Sequence, residues 1–307
     1  MYLEHFGIEI PPFSIGPDPT FAFDSRAQRA SLGALLTAID GGAEFVKLTG
    51  AAGAGKTLTC HRLVAALRAR GQAYDVAYVA NPCLSPRALL LAVTLELRLR
   101  PRADATESHL LAALDRHLRA AARAGRRLVV CLDEAQAMPV HALQALHLVA
   151  DRGSSGRRPL QVVLAGQPEL DRKLARPELR GLARRVACTP PLAGLAVDET
   201  EPYLAHRLSV AGYRGEPLFA PYVARRVHAA TRGLPRRVNI VAHKALVLAF
   251  RGDCLRVHPH HVRAAAAETP YASRLGNLSH LLADIAQWLR PRARLWTLPI
   301  GERNSQA

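Results

Sequence analysis

Aromatic residues are scarce, at 5% of 307, and there are only five cysteines. With 49% hydrophobic residues and few aromatics, the interior must be built from Leu, Val and Ala, which favours helices around a small sheet. Cys60, Cys83, Cys131, Cys188 and Cys254 are odd in number, and no two have a Cys-x-x-Cys spacing. That argues against a disulfide framework or a cysteine zinc site and fits a reducing cytoplasm. Met1-Tyr2-Leu3-Glu4-His5 lacks the basic lead and apolar stretch of a secretory signal. No apolar run approaches the roughly 20 residues that cross a bilayer, so a soluble protein is expected. Repeats and low-complexity blocks are missing too.

Lysine occurs only at Lys47, Lys56, Lys173 and Lys244, so arginine carries nearly all of a formal charge of +16. Such a charge suits a polyanion, either nucleic acid or an anionic membrane surface. Heavy Arg and Ala usage is also what a GC-rich genome produces. The arginines are spread over every segment, which predicts nucleic-acid binding that is weak and non-specific.

Residues 1–20 hold Pro11, Pro12, Pro17 and Pro19 and read as an extended strap. A helix is expected over 25–39, a strand over 45–49, a helix over 57–70 and a strand over 74–80. Helices over 86–98 and 107–124 follow, then strands over 128–132, 160–165 and 185–189. Strands alternating with helices predict an α/β fold with a parallel sheet covered on both faces. After Pro191 only helices are expected, over 198–211, 217–230, 235–250 and 258–268. The chain therefore divides into a nucleotide-binding core with its strap (1–191), an all-helical lid (192–268) and an amphipathic tail (269–307) with Leu278, Leu281, Leu282, Ile285 and Leu289.

Between the first strand and its helix lies Gly50-Ala51-Ala52-Gly53-Ala54-Gly55-Lys56-Thr57-Leu58, a phosphate-binding loop in the context that motif requires. The glycines let backbone N–H groups face phosphates, and the helix start adds its positive dipole end. Lys56 is expected at the β- and γ-phosphates of ATP, and the Thr57 hydroxyl on Mg2+. The apolar run Leu128-Val129-Val130-Cys131-Leu132 ends in Asp133-Glu134. Asp133 would hold the magnesium through its water shell, and Glu134 would polarise the attacking water as general base. A carboxylate in that place points to a hydrolase rather than a small-metabolite kinase.

Three further sites are expected around the terminal phosphate. Gln167 ends the fourth strand, where its polar group can sense the γ-phosphate. Arg180, Arg184 and Arg185 cluster before the fifth strand, where a finger can act only on a neighbouring subunit's nucleotide, Arg185 first among them. Arg236, opening a lid helix, is placed to touch the γ-phosphate. By contrast, His258-Pro259-His260-His261 lacks the partners of a metal site, and Cys131 reads as a small core residue. Trp288 and Trp296 read either as anchors for a partner or a membrane face, or as packing residues.

Several motifs together resemble the ExeA/GspA-type AAA+ ATPases. They are Tyr2-Leu3-Glu4-His5-Phe6-Gly7, Asp133-Glu134-Ala135-Gln136, Gly166-Gln167-Pro168-Glu169-Leu170, Arg176-Pro177-Glu178-Leu179-Arg180 and Gly233-Leu234-Pro235-Arg236-Arg237-Val238-Asn239. Asn81-Pro82-Cys83-Leu84-Ser85 and Ala242-His243-Lys244-Ala245-Leu246 look nearest the MshM-type members, linked to mannose-sensitive haemagglutinin pilus biogenesis. The resemblance implies a P-loop AAA+ core with a helical lid, ATP hydrolysis and assembly of subunits. It also implies work with inner-membrane proteins of type IV pilus-like or type II secretion machinery, from the cytoplasm or the inner face of the inner membrane. Ala51 departs from the Gly-Glu common there, and the transmembrane and peptidoglycan-binding parts of secretion-type members are not found. Two other functions remain open: a nucleic-acid-dependent AAA+ regulator of transposition or replication type, and a nucleotide-bound scaffold that hydrolyses little.

Overall fold

The computed structural model describes residues 2–16, 18–80, 85–102, 104–152, 160–188 and 191–269. The expected tail residues Leu278, Leu281, Leu282, Ile285, Trp288, Leu289 and Trp296 lie outside these, as do Asn81, Pro82, Cys83, Leu84 and Thr189.

The chain opens with a short helix α1 (Tyr2–Phe6), then α2 (Arg26–Asp40), β1 (Phe45–Thr49), α3 (Lys56–Ala69) and β2 (Tyr74–Val79). Next come α4 (Pro86–Glu96), α5 (Glu107–Arg123), β3 (Arg127–Leu132), α6 (Val140–Arg152), β4 (Leu160–Gly166), α7 (Glu169–Leu174), α8 (Arg180–Ala183) and β5 (Val186–Cys188). Four helices close the described chain: α9 (Val197–Val210), α10 (Pro221–Thr231), α11 (Pro235–Arg251) and α12 (Pro259–Ala267).

All five strands are parallel, in the order β2-β3-β4-β1-β5. Every residue of the central strand β4 is buried, as expected of a parallel strand covered on both faces. Alternation along the strands splits the interior in two. Leu128, Val130, Leu132, Val162 and Leu164 join Leu89, Leu90, Leu110 and Leu118 from α4 and α5. Val129, Cys131, Val163 and Ala165 face the other way, onto Leu35 and Ile39 of α2 and Cys60, Leu63 and Leu67 of α3.

Local chemistry sets the helix starts. Ser25 accepts the Gln28 N–H at 3.3 Å and caps α2, while Ser85 and Thr106 cap α4 and α5. Pro86, Pro221, Pro235 and Pro259 open their helices, where a missing N–H costs nothing. Helix α6, after Pro139, is not expected from the sequence reading.

The apolar side chains of the first 21 residues pack away from the sheet. Phe6, Ile8, Phe13 and Phe21 are buried with Leu204, Leu208, Val223, Val238, Val241 and Leu246 of the lid helices. The start of the chain thus completes the core of its last helices. The fifth strand begins one residue later than expected, at Val186.

Candidate functional site

The turn after β1 is shaped by two left-handed glycines, Gly53 at φ 80° and Gly55 at φ 102°. Neither position has room for a side chain. A Cβ on Gly53 would stand 2.5 Å from the Arg236 Cβ, and one on Gly55 2.6 Å from the Gln28 Nε2. The loop is therefore packed between α2 and the start of α11, and the Arg236 N–H donates to the Gly53 carbonyl at 3.3 Å. The Lys56 amine, only 4% exposed, donates to the carbonyls of Gly50 at 2.9 Å and Ala51 at 3.2 Å. Burial pushes its pKa down, while the carboxylates of Glu134 and Asp133 pull it back up.

Asp133 is buried at the end of β3. Its Oδ2 accepts the Thr57 hydroxyl at 2.5 Å and, more weakly, the Tyr78 hydroxyl at 3.4 Å. Burial, and then the Asp133 charge, raise the Tyr78 phenol so that it stays a donor. Glu134 follows in the left-handed region, at φ 53° and ψ 36°, without being glycine. Such a conformation costs about 1–2 kcal/mol and needs the surroundings to impose it. Its side chain is held by Gln136 and Gln167, whose side-chain amides both donate to Glu134 Oε2, Gln167 at 3.4 Å.

These side chains line one wall of a cavity of about 290 Å³. Gly53, Gly55, Lys56, Thr57, Leu58 and Glu134 form that wall, and Arg236 reaches in from α11. The same cavity is also lined by Ile15, Phe21 and Phe23 from the N-terminal segment and by Tyr203, Arg207 and Asn239 of α9 and α11. A buried network fixes that side. Arg207 donates to Pro12 O at 2.6 Å and Ser14 O at 3.2 Å, and its guanidinium lies 4.4 Å from the Phe21 ring centroid. Asn239 donates to the same Ser14 carbonyl at 3.2 Å and accepts from the Tyr203 hydroxyl at 2.8 Å.

The residues present fit a nucleotide with magnesium. A cradle that Cβ atoms would fill, a buried amine and a helix start meet at the phosphate loop. Thr57 and Asp133 offer the hard oxygen donors that magnesium takes. Of the residues expected from sequence, Gly53, Gly55, Lys56, Thr57, Leu58, Glu134 and Arg236 border one cavity. Asp133 and Gln167 lie directly behind, bonded to Thr57 and Glu134.

Arg185 is the exception. Its guanidinium grips the Glu44 carboxylate through Nε at 2.7 Å and through Nη2, and Glu44 is only 3% exposed. Arg185, its side chain about a quarter exposed, is thus engaged by Glu44 of its own chain and does not border the cavity. Arg180 and Arg184 are exposed on and just after α8. Sequence reasoning also missed Tyr78, Arg207 and Gln28. Gln136 and Asn239 stood inside motifs already noticed, but no local pattern marks Arg207.

Residues 39–174 match a family model described as an AAA domain. Over 259 residues the chain is 37% identical to General secretion pathway protein A of Aeromonas hydrophila, covering 84% of this chain. It spans 47% of that relative, about half its length. Among solved structures, Cdc6p of Pyrobaculum aerophilum is similar at TM-score 0.64 and 17% identity, covering 85% of this chain and 72% of that one. The ORC2 protein of Aeropyrum pernix in ADPNP–ADP complexes gives TM-score 0.59 and 19% identity, covering 86% and 73%. The Drosophila ORC bound to DNA gives 0.63 and 17%, covering 84% and 64%. The fold is that of a P-loop AAA+ protein, with a parallel five-stranded sheet and a helical C-terminal portion.

Proposed function

From the premise that the chain carries an AAA domain and resembles General secretion pathway protein A, we propose that it is a magnesium-dependent ATPase serving envelope machinery. The observation that carries the ATPase reading is the meeting of Lys56, Thr57, Glu134 and Arg236 at one cavity, with Asp133 and Gln167 behind. Lys56 exchanges its loop carbonyls for β- and γ-phosphate oxygens. When bound, magnesium neutralises charge on the phosphate oxygens. Thr57 and Asp133 hold it. Glu134 takes a proton from the attacking water, and Gln167 fixes the polar surroundings of the γ-phosphate. Arg236 ties the lid angle to the phosphate it touches. The strap and lid wall, with Phe21 and Tyr203, encloses the base.

The finer role is assistance to a type IV pilus-like or type II secretion machine, the role that the resemblance to MshM-type members implies, through inner-membrane partners and from the inner face of that membrane. The 37% likeness to General secretion pathway protein A supports it. Subunits are proposed to meet across the nucleotide, with Arg180 or Arg184 completing a neighbour's site. A nucleic-acid-dependent regulator is the second reading, favoured by the charge of +16 alone.

ATP turnover measured alone, with DNA, and with vesicles of anionic lipid tests these readings together. Stimulation by vesicles or by an inner-membrane protein supports the envelope role. A large stimulation by DNA at physiological salt promotes the regulator, and no turnover at all would leave a scaffold. Mixing Arg180→Ala or Arg184→Ala subunits with Lys56→Ala subunits should restore activity if the finger acts in trans. No rescue at any ratio would remove that part.

A further inference from the structure

Gln136 binds neither phosphate nor magnesium in this scheme, yet it engages on three sides. Its Nε2 donates to Glu134 Oε2, and its Oε1 accepts the Gln167 N–H at 2.9 Å. Its backbone carbonyl accepts from the Lys173 amine, which also grips Met138 O. Gly166, at the end of β4, is what leaves it room: a Cβ there would stand 2.8 Å from Gln136 Oε1 and 3.3 Å from its N. Gln136 therefore joins the catalytic strand end to the sensing one.

The side-chain amides of Gln136 and Gln167 both land on Oε2 of Glu134, and neither takes Oε1. An amide donating to a carboxylate is a charge-assisted bond, strong enough to aim it. The anchor is firm because the turn carrying Gln136 is pinned by Lys173. We infer that Gln136 is a positioning residue for hydrolysis: it holds Glu134 by Oε2 and leaves Oε1 for the attacking water. Its link to the Gln167 backbone carries any shift at the sensing strand end to the base. The inference rests on Glu134 being that base.

The test uses the full chain and four variants, Gln136→Ala, Gln136→Glu, Glu134→Gln and the double variant Glu134→Gln with Gln136→Ala. Turnover is measured beside calorimetric affinity for a non-hydrolysable ATP analogue. Gln136→Ala should lower kcat about 10–100-fold, the scale of a misplaced catalytic group, with KM and analogue affinity held within about twofold. Gln136→Glu should be no better, because it sets a carboxylate against Glu134. In the Glu134→Gln background the Ala substitution should change nothing further, since its whole effect passes through that carboxylate.

Where Gln136→Ala lowers the melting temperature, Gly166→Ala displaces the same carboxamide with both side chains kept, and it must reproduce the loss of kcat with affinity retained. Unchanged or faster turnover in Gln136→Ala overturns the inference, and so does an equal further loss in the Glu134→Gln background. Should Glu134→Gln itself turn over normally, the base assignment and the inference fall together. If Glu134→Gln is slow and Gln136→Ala is not, only the inference falls.

Discussion

On the phosphate-loop wall of the cavity, Lys56, Thr57 and Glu134, with Asp133 behind them, come from two short runs of sequence. On the other wall, Arg207 and Asn239 are held by the backbone of Ser14, up to 225 residues away. The first wall is dictated by local geometry: glycines with left-handed backbones, a helix start and a strand end. The second exists only once the strap has packed into the lid, where Phe13 and Phe21 are buried beside Leu204 and Val238. Phosphate chemistry can thus be carried by a contiguous motif, while the enclosure around the rest of the ligand depends on long-range contacts.

Substitutions at the first wall should have the larger effects. Lys56→Ala should abolish ATP binding in calorimetry, because the β- and γ-phosphates lose their point-charge partner. Unchanged affinity would remove the phosphate loop from the account. Glu134→Gln should retain nucleotide but lose turnover by roughly 10²–10⁴, the range for a positioned base. Near-normal steady-state rates would refute that role.

Where the two walls meet, Gly53→Ala should force the start of α11 away. Its left-handed backbone and the 2.5 Å approach to Arg236 leave no place for a methyl group. ATP affinity should fall about tenfold or more, on the scale of a mispositioned contact. Wild-type affinity would show that the lid does not need that contact. On the second wall, Arg207→Ala should cost about 2 kcal/mol of stability, because buried Pro12 loses the charged donor to its carbonyl while exposed Ser14 keeps Asn239. Urea unfolding measures it, with protease cleavage in residues 8–16 as the local readout. An unchanged midpoint would mean that the strap is held by its phenylalanines alone. The smallest effect is expected from DNA. Phosphate contacts weaken steeply with salt, so duplex DNA at physiological ionic strength should leave turnover nearly constant.

The same contrast explains what could be read in advance. Strand order and pairing could not be, but the alternation of strands and helices announced a covered parallel sheet, and β4 is buried throughout. Lys56, Thr57, Asp133 and Glu134 were legible because each occupies a fixed place in a motif. The Arg185 contact could not be read, because sequence shows a cluster of arginines but not Glu44, which lies 141 residues away and pairs with one of them. Arg207 carried no signal, since an arginine in a lid helix resembles many others until the strap folds over it.

The claim that both walls form one nucleotide site is tested most directly by photolabelling with 8-azido-ATP, followed by peptide mapping of the labelled chain. The label should fall within residues 15–23 or on the segment holding Tyr203 and Arg207, and it should vanish in Lys56→Ala. Labelling elsewhere, or labelling of the strap that survives loss of Lys56, would contradict it.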